Sequence, residues 1–395
     1  MPPDASPLPV CRKPRPSTTQ KQPLPREHSH CNSPQSESSA EDSKNGTFSV
    51  TSFITRAEEL GMRGIIDAAR TKAIDVLHRS GLKLANSPAR VVHAESGLPV
   101  GEDERLEEYS EITSALVELA QACMIERAKM KWYVLDDRSS KDEAPEVTQE
   151  VTTGAPGSGA ASSGCRGKFL ATSDWRLNKH LLIVIPGTGA VRAGVWGRQL
   201  CLVDSLEHGT ALSVVSWAAN EKGWGVVLMD PNDPALVEEG NEDDDTRPVL
   251  YVMDVFRALV AHAAKNAKFS FIAHSFGGAC FVDLLHDATV RNVATLSRMS
   301  AAAFTDSVHH VEGNCLQGQT GALHQTALAW LAQRSLAYRC DASELDTLMW
   351  EMNESMGCKC VSAGTLDHPG SNWVSEPSMR EFLSRMVETM GPFTL

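Results

Sequence analysis

The segment FSFIAHSFGGACFVDLL, residues 269–285, constrains the fold of this chain more than any other part of the sequence. It predicts a buried strand followed almost at once by a helix, with Ser275 in the tight turn between them. This arrangement is typical of a nucleophile elbow, which exposes a serine at the end of a sheet. The residues two positions before and after the serine must be small to avoid a collision across the turn, and they are Ala273 and Gly277. Taken alone, the segment is also compatible with a strand–helix junction whose glycines serve only close packing.

Strand-like and helix-like patterns alternate through the C-terminal part of the chain. Short apolar runs separated by longer helical patterns are typical of a mostly parallel sheet that is covered by helices on both faces. The predicted fold class is therefore α/β. The predicted strands cover residues 181–186, 225–230, 269–274, 301–305 and 359–363, and the predicted helices cover residues 206–222, 249–266, 278–287 and 322–338.

Composition divides the chain into four segments. Residues 1–46 hold nine of the 20 prolines and few large apolar residues. They predict a disordered tail, because such a stretch cannot bury enough apolar surface to offset its ordering entropy. Residues 47–136 carry helical periodicity and predict a helical N-terminal segment, whereas residues 137–167 are polar and then glycine-rich and predict a flexible linker. Residues 168–392 carry the α/β pattern and are predicted to form the main domain.

Two helices are predicted within the helical N-terminal segment. The first covers residues 48–79 and is interrupted at Gly61 and Gly64, so it is expected to form two pieces. The second covers residues 103–134, where apolar residues recur at helical spacing. The connection between them, residues 81–101, is predicted to be irregular.

Two residues downstream of the elbow complete the order of an α/β-hydrolase triad, which runs serine, acid, histidine. Asp306 follows the predicted strand 301–305, and His368 follows the predicted strand 359–363. Because the carboxyl ends of parallel strands meet at one edge of a sheet, these side chains are expected to converge on Ser275. The roles predicted are Ser275 as nucleophile, His368 as general base, and Asp306 as the group that holds the imidazole in the productive tautomer.

Other residues near the predicted acid and base leave alternatives open. His309 and His310 follow the acid closely, and either of them serves as the base if His368 faces away. Asp367 is next to His368 in the chain and is badly placed to orient its ring. His274, beside the serine, points to the opposite face of the sheet and is interpreted as a packed or supporting histidine.

The loop after the first predicted strand supplies a candidate oxyanion hole. In an α/β-hydrolase one donor is the amide of the residue after the nucleophile, here Phe276, and the second comes from an earlier loop. The segment LLIVIPGTGAVRAG fits that loop, with Gly187 and Thr188 as the donors. A phosphate-binding loop is the weaker alternative, because Gly-Lys-Ser/Thr is absent and Arg192 interrupts G-x-G-x-x-G. Arg192 is expected either to pair with an acidic neighbour or to meet an anionic group.

Composition and charge exclude several other classes of protein. The net charge of −13 argues against a main role in binding phosphate backbones, so no direct nucleic-acid site is predicted. The apolar runs are too short to span a bilayer, and the N-terminus has no apolar signal segment, so neither a membrane nor a secreted protein is expected. The ten cysteines are interpreted as reduced thiols, and Cys358 and Cys360 as core residues, so no metal and no cofactor are predicted. The basic cluster at residues 12–15 is either a nuclear-import signal or incidental charge.

Five segments closely resemble the Argonaute-binding-protein-two (Arb-two-like) domain family, and within it the cotranscriptional-regulator branch of animal proteins. The likeness covers roughly residues 82–375, including the helical pattern from 91 to 134, whereas residues 1–80 and 137–167 have no counterpart. The segments are IPGTGAVRAGVWGRQLCLVDSLEHGT (185–210), GWGVVLMDPND (223–233), FIAHSFGGACFVDLL (271–285), FTDSVHH (304–310) and VSAGTLDHPGSNW (361–373).

The resemblance implies an α/β-hydrolase-like fold and a nuclear role in small-RNA-linked gene silencing, heterochromatin formation or co-transcriptional regulation. It implies Argonaute or chromatin and histone-modifying proteins as partners. The family's nucleophile matches Ser275, its TDSVH motif matches Asp306, and SAGT-x-x-H matches His368. Many relatives carry His-Gly-Ser-Gly where this chain has Pro-Gly-Thr-Gly at residues 186–189, and tyrosine where it has Phe276.

Two functions remain open on the sequence, and they are compatible with each other. The first is a regulatory or scaffolding protein of gene silencing, located in the nucleus with the cytoplasm as a second compartment. The second is a serine hydrolase that acts on an ester, thioester or amide. The complete set of Ser275, Asp306 and His368 favours retained chemistry, since a scaffold does not need all three. Fold-level analogy cannot decide between the two functions.

Overall fold

A nine-stranded sheet forms the centre of the structure, a computed structural model that describes residues 64–86, 89–101, 104, 106–136, 146–149, 165–236, 246–291, 293–311 and 325–393. In chain order the strands are β1 Leu82–Asn86, β2 Ala89–His93, β3 Met130–Asp136, β4 Glu146–Gln149, β5 Cys165–Thr172, β6 His180–Ile185, β7 Gly225–Met229, β8 Lys268–His274, β9 Met299–Thr305, β10 Ser335–Arg339 and β11 Lys359–Ser362. β1 and β2 pair with each other as an antiparallel hairpin, and the other nine follow the order β11-β10-β9-β8-β6-β7-β5-β3-β4.

Helices cover both faces of the nine-stranded sheet. They are α1 Ile65–Arg79, α2 Tyr109–Arg127, α3 Arg198–Val203, α4 Leu206–Gly209, α5 Leu212–Ser216, α6 Thr246–His262, α7 Phe276–Arg291, α8 Val293–Leu296, α9 Gln325–Arg334, α10 Asn353–Met356, α11 Ser371–Val374 and α12 Glu376–Thr389, with a π-helical turn at Trp217–Glu221 and 3-10 turns at Pro234–Leu236 and Trp350–Met352. Among the described residues, no helix is long and apolar enough to cross a membrane.

Two large buried clusters lie on opposite faces of the sheet. α1 to α5 and α12 pack on one face, where Leu182 and Val184 of β6 point. α6, α7 and α9 pack on the other, where Ile183 and Phe271 point. This division follows from the alternation of side chains along a strand, and it buries β6 along its whole length. The predicted α/β class, with helices on both faces of a mostly parallel sheet, is confirmed.

The order of strands changes direction at β6. Six strands, β6 to β11, run parallel to one another, and β5 and β4 are antiparallel to their neighbours. From β6 the chain passes to β7 on one side and then returns to β8 on the other, so β6 lies between them. In open α/β sheets, such a reversal leaves a crevice at the carboxyl ends of the two strands. The elbow after β8 and the glycine-containing loop after β6 both lie at that crevice.

The predicted helix over residues 103–134 is wrong at its C-terminal end. α2 ends at Arg127, Lys129 adopts a positive φ of 51°, and β3 begins at Met130. The apolar residues of this stretch fit helical spacing as well as they fit a strand, so periodicity could not separate the two. Pairing between β3 and β5 decides the outcome, and it places β3 in the main sheet rather than in the helical segment.

Three other predicted segments are corrected by the structure. The helix expected over residues 322–338 ends at Arg334, and β10 follows without a loop. The irregular connection of residues 81–101 contains the β1–β2 hairpin, whose strands are each five residues long. Residues 137–167, expected to be a flexible linker, include β4 and the start of β5.

The N-terminal helical segment is only partly described. α1 begins at Ile65, directly after Gly64, where the sequence predicts an interruption. The first expected helical piece and the tail of residues 1–46 lie outside the described residues. α1 and α2 contribute to the same buried cluster as β6, so they cover one face of the sheet.

Buried histidines make the free energy of unfolding depend on pH. His180, at the start of β6, lies 3.0 Å from Ser270 Oγ through Nε2, and burial together with nearby Lys268 lowers its pKa to about 4. Because the unfolded-state pKa is near 6.5, the unfolded chain binds more protons between these two values. The contribution of each such buried histidine to the free energy of unfolding is therefore fully present above about pH 6.5. As the pH falls from 6.5 toward 4, that contribution decreases by about 1.4 kcal/mol per pH unit.

We expect His180→Gln to reduce the slope of the free energy of unfolding against pH by the part that the protonation of one histidine contributes. Urea unfolding measured at several pH values between 4 and 7 gives the slope. The exposed His310 supplies the matched control position, and the slope of His180→Gln is compared with that of His310→Gln. Equal slopes in the wild type and in His180→Gln would contradict the assignment.

Candidate active site

Ser275 lies in a strained turn between β8 and α7. Its φ of +54° is in the left-handed region, which non-glycine residues rarely occupy outside functional turns. Its amide donates to Thr305 O at 3.0 Å, and its carbonyl accepts from the amides of Gly278 and Val308 at 3.1 and 3.2 Å. These hydrogen bonds hold the turn from both sides. The elbow predicted from the sequence is present, with the serine one residue before the first turn of α7.

The small residues of the elbow allow it to contact the end of β6 directly. A Cβ on Gly277 would lie 2.4 Å from Ile185 O and 2.6 Å from Pro186 O. A Cβ on Gly187 would lie 2.9 Å from the Cβ of Ser275. Because Gly187 and Gly277 have no side chains, the loop after β6 and the elbow pack directly against each other.

We expect Gly277→Ala to destabilise the fold by about 1–3 kcal/mol, toward the upper end of that range. The added methyl meets two backbone oxygens at the end of a buried strand, which cannot move aside as a flexible side chain would. Urea denaturation measures the loss. Gly391→Ala is the matched control because a Cβ there meets no atom within 4 Å. Equal stability of the two variants would show that the elbow is looser than this packing implies.

Asp306 is fixed at the end of β9 with its carboxylate toward the loop after β11. Its amide donates to Tyr338 O at 2.7 Å, and its φ is +38°. One carboxylate oxygen, Oδ2, lies 2.6 Å from His368 Nδ1. The other, Oδ1, accepts from the amide of Cys340 at 3.1 Å and lies 3.4 Å from Arg339 Nη1.

These contacts decide the charge of the acid. Burial raises the pKa of Asp306, but the hydrogen bonds from His368 and from the Cys340 amide, together with the nearby Arg339, outweigh that effect. The pKa of Asp306 therefore lies well below its usual value, and the carboxylate is ionised at neutral pH. An ionised carboxylate bound to Nδ1 leaves Nε2 of His368 as the nitrogen that is free to accept a proton.

His368 is positioned by its loop and by a second histidine beneath it. Its carbonyl accepts from Ser371 Oγ at 2.7 Å, and its ring centroid lies 4.6 Å from that of His274. The His368 side chain is 46% exposed, so it faces the solvent side of the crevice. Among the described residues no hydrogen bond joins the ring to Ser275 Oγ. The structure thus brings Asp306 and His368 into contact, while their catalytic roles and the contact between Ser275 and His368 stay predictions.

His274 occupies the position expected of a packed, supporting histidine. It is buried, and its Nδ1 lies 2.9 Å from Thr305 O and 3.1 Å from Asn372 Nδ2. Burial and the neighbouring His368 lower the pKa of His274 to about 4, so its ring is neutral at neutral pH. A neutral ring against the base supports it without adding a competing charge.

The alternative base His309 is engaged elsewhere. Its ring is buried, with Nδ1 2.6 Å from Ser307 Oγ and Nε2 3.0 Å from Met356 O. Both nitrogens therefore have partners, and burial lowers the pKa of His309 to about 4. Asp367 is not placed to orient the base either, because its Oδ2 accepts from the amide of Gly370 at 3.1 Å. Asp306 is the acid that contacts His368.

The candidate oxyanion loop is held by a residue that the sequence analysis missed. Asn232 Nδ2 donates to Gly187 O at 2.8 Å, and Asn232 Oδ1 accepts from the amide of Gly189 at 3.2 Å. The amides of Phe276 and Thr188 have no acceptor within the described part of the chain. Free amides beside a nucleophile are what a developing oxyanion requires. Asn232 follows β7, and nothing in its local sequence distinguishes it from an ordinary loop residue.

Arg192 forms the structural ion pair that was one of its two predicted roles. Its guanidinium contacts the buried carboxylate of Asp230 through Nη2 at 2.7 Å and Nε at 3.0 Å, and Asp233 lies 3.4 Å away. These contacts tie the end of the oxyanion loop to the end of β7. Cys358 and Cys360 are both buried, as expected of core residues.

One known family model matches part of this chain. Residues 156–249 match the model of the Arb2 domain. The Homo sapiens protein named cotranscriptional regulator ARB2A is 27% identical in an alignment 263 positions long, which covers 53% of this chain and 59% of that protein. The Gallus gallus homologue is 27% identical over 259 residues, again 53% of this chain and 59% of its own length. The match thus spans somewhat more than half of these relatives.

Solved structures that are similar to this chain are esterases and a related hydrolase. An esterase from Pyrobaculum calidifontis has 12% sequence identity and a TM-score of 0.36 over 73% of this chain and 95% of its own. A dienelactone hydrolase-like promiscuous phosphotriesterase from metagenomic libraries has 13% identity and a TM-score of 0.32 over 65% and 98%. The α/β-hydrolase-like fold of this chain is seen in its own strand order and in the elbow after β8.

Proposed function

We propose that this chain, whose residues 156–249 match the Arb2 domain model, acts in the regulation of gene expression. The observation that carries this proposal is the 27% identity to cotranscriptional regulators over more than half of the chain. The finer proposal is a nuclear factor of small-RNA-linked silencing, heterochromatin formation or co-transcriptional regulation. Argonaute or chromatin and histone-modifying proteins are then its partners.

The crevice around Ser275 is the surface that we propose to test for partner binding. Affinity capture with the purified full chain as bait, followed by blotting for Argonaute and for histone-modifying enzymes, measures the association. We expect Ser275→Trp to reduce capture because the large side chain fills the crevice, whereas Ser275→Ala is the matched control that keeps it. If both variants capture the same amount of partner, the partner binds at a surface other than the crevice. If the wild type captures none of these proteins, the partner proposal is wrong.

We further propose serine hydrolase chemistry at the same site, acting on an ester, thioester or amide. The observation that supports it is the 2.6 Å contact between His368 Nδ1 and Asp306 Oδ2, beside a serine in a left-handed elbow. A structural contact between Asp306 and His368 does not require a strained serine in the neighbouring turn, and a scaffold does not require amides without acceptors in the two loops. The two proposed functions are compatible.

The chemistry follows from the geometry of these residues. Ser275 Oγ attacks the carbonyl carbon while Nε2 of His368 accepts its proton, and the negative charge forms on the carbonyl oxygen. The amides of Phe276 and Thr188 donate to that oxygen, each contributing roughly 3–4 kcal/mol of transition-state stabilisation when well aimed. The imidazolium is stabilised by ionised Asp306 and returns the proton to the leaving group. Water then cleaves the acyl-enzyme by the same route.

Labelling with a fluorophosphonate probe tests the nucleophile directly. We expect one labelled peptide, containing Ser275, in a digest of the treated full-length protein analysed by mass spectrometry. His368→Ala is expected to abolish labelling, since the hydroxyl reacts slowly without its base. A labelled serine other than Ser275, or labelling that survives in His368→Ala, would contradict the hydrolase proposal.

A further inference from the structure

Three side chains that can bind a metal ion converge beside the elbow. Asp306 follows β9, Cys340 follows β10, and His368 lies on the loop after β11. One ligand atom from each of them lies within 4.8 Å of the other two. The donors come from the carboxyl ends of three neighbouring parallel strands, so the sheet itself holds them together.

We propose that Asp306, Cys340 and His368 form a binding site for a zinc-like divalent cation that switches off the base of the candidate triad. Zinc is bound in proteins by thiolate, imidazole and carboxylate in a tetrahedral arrangement, and these are the three donor types present here. With metal–ligand distances near 2.0–2.3 Å, neighbouring ligand atoms in a tetrahedron lie about 3.3–3.7 Å apart. A fourth position is left for water.

The present distances are close to that geometry. The contact between His368 Nδ1 and Asp306 Oδ2 is 2.6 Å, so it must widen by about 1 Å to admit the ion. His368 is the ligand that can move, because its side chain is half exposed and lies on a loop. Magnesium and calcium are disfavoured, since they prefer oxygen ligands and two of the three donors are sulfur and nitrogen.

Charge also favours a divalent ion at this place. A thiolate and a carboxylate supply two negative charges, which balance the two positive charges of the metal. Arg339 lies 3.4 Å from Asp306 Oδ1 and opposes the ion through like charge. The site is therefore expected to be weaker than a structural zinc centre, as suits an ion that binds and leaves.

Access distinguishes Cys340 from the other cysteines. Its side chain is partly exposed, and its Sγ lies 3.5 Å from Asp367 O. The thiol is therefore within reach of an ion that enters from the crevice. By contrast, five other cysteines are buried and closed to an ion in solution: Cys123, Cys201, Cys280, Cys358 and Cys360.

Binding changes the protonation of the two titratable ligands in a defined way. The S–H bond of Cys340 breaks as the S–metal bond forms, and that proton is released to solvent. The proton on Nδ1 of His368 moves to Nε2 as Nδ1 binds the metal, so the ring remains neutral. With Nε2 protonated and its lone pair gone, His368 cannot accept a proton from Ser275. Metal binding and serine activation therefore exclude each other.

Cobalt(II) tests the binding site independently of any enzyme activity. We expect the chelator-treated full-length protein, titrated with Co²⁺, to show the near-ultraviolet charge-transfer absorption of a cobalt–thiolate bond. Cys340→Ser and His368→Ala are each expected to weaken Co²⁺ binding at least about tenfold, and Cys340→Ser to remove the band. Ser275→Ala is the matched control and keeps the band, because Ser275 is not a ligand. No band in the wild type, or an unchanged band in Cys340→Ser, overturns the proposal.

The inhibitory effect rests on the proposed hydrolase function and is measured separately. We expect Zn²⁺ to reduce fluorophosphonate labelling of Ser275, with recovery after chelation, and Cys340→Ser to require at least about tenfold more Zn²⁺ for the same reduction. If the protein binds Co²⁺ through Cys340 but never labels, the hydrolase proposal fails and the metal site stands. If labelling occurs and Zn²⁺ affects the wild type and Cys340→Ser equally, the switch is wrong.

Discussion

Ser275→Ala is expected to lower the hydrolysis of a chromogenic short-chain ester by about four to six orders of magnitude relative to the wild type. The reason is that the covalent route closes when Oγ is removed, and the base and oxyanion donors alone supply little rate. Folding is expected to survive, because alanine fits the same turn. The strain of the left-handed elbow, roughly 1–3 kcal/mol, applies to either residue. Ester turnover and urea unfolding, measured on the same preparations, separate the two effects.

Ser297 supplies the matched control for this variant. Its hydroxyl donates to Ala294 O at 2.7 Å in an exposed turn outside the crevice. Ser297→Ala removes the same atom and is expected to leave turnover within about twofold of the wild type, as surface substitutions away from a site do. Equal turnover in the wild type and Ser275→Ala would end the nucleophile hypothesis and leave the fold and the likeness to the Arb2 domain model unaffected.

Asp306→Asn is expected to reduce ester hydrolysis by about four orders of magnitude, as loss of the orienting carboxylate does in serine proteases. The asparagine oxygen can still accept from the Cys340 amide, so the loop stays in place. Its amide group donates to Nδ1 instead of accepting from it, which forces the proton of His368 onto Nε2. The base then holds a proton where it should accept one. The change should appear in kcat, with little change in KM.

The neighbouring carboxylate tests whether this effect is specific. Asp367 lies next to the base in the chain, and its Oδ2 caps the amide of Gly370, a role that asparagine can also fill. Asp367→Asn is therefore expected to change kcat by only a few-fold. If Asp367→Asn costs as much as Asp306→Asn, the assignment of the acid is wrong.

The elbow and the order of its partners could be predicted because their evidence is local. A strand, a serine flanked by small residues and a helix occupy one continuous segment, and the spacing within it leaves few other conformations. Asp306 and His368 were found by the same logic, since each directly follows an apolar strand. Their convergence required only the general rule that parallel strands end at one edge. The 2.6 Å contact between Asp306 and His368 agrees with that expectation.

The surroundings of the site could not be predicted in this way. β10 follows α9 without a loop, so the helical spacing of apolar residues continued from α9 into β10, and the strand was predicted as part of the helix. Arg339 and Cys340, which contact Asp306, were missed for the same reason. Asn232 was missed because the atoms it binds belong to a loop 45 residues away in the chain. The choice between His309 and His368 depended on Ser307 and Met356, whose contacts only the folded chain supplies.

The sequence by itself determined the α/β class, the elbow that carries Ser275 and the strand ends that precede Asp306 and His368, because each of these depends on residue spacing within one element. The tertiary structure decided which apolar stretches became strands, which histidine meets the acid and which side chains surround it. Those outcomes depend on pairing and packing between residues far apart in the chain. Such contacts stabilise the structure only after the two distant segments have come together, so local spacing does not reveal them. The fold can therefore be predicted from local periodicity, whereas the convergence of Asp306, Cys340 and His368 is a property of the assembled sheet.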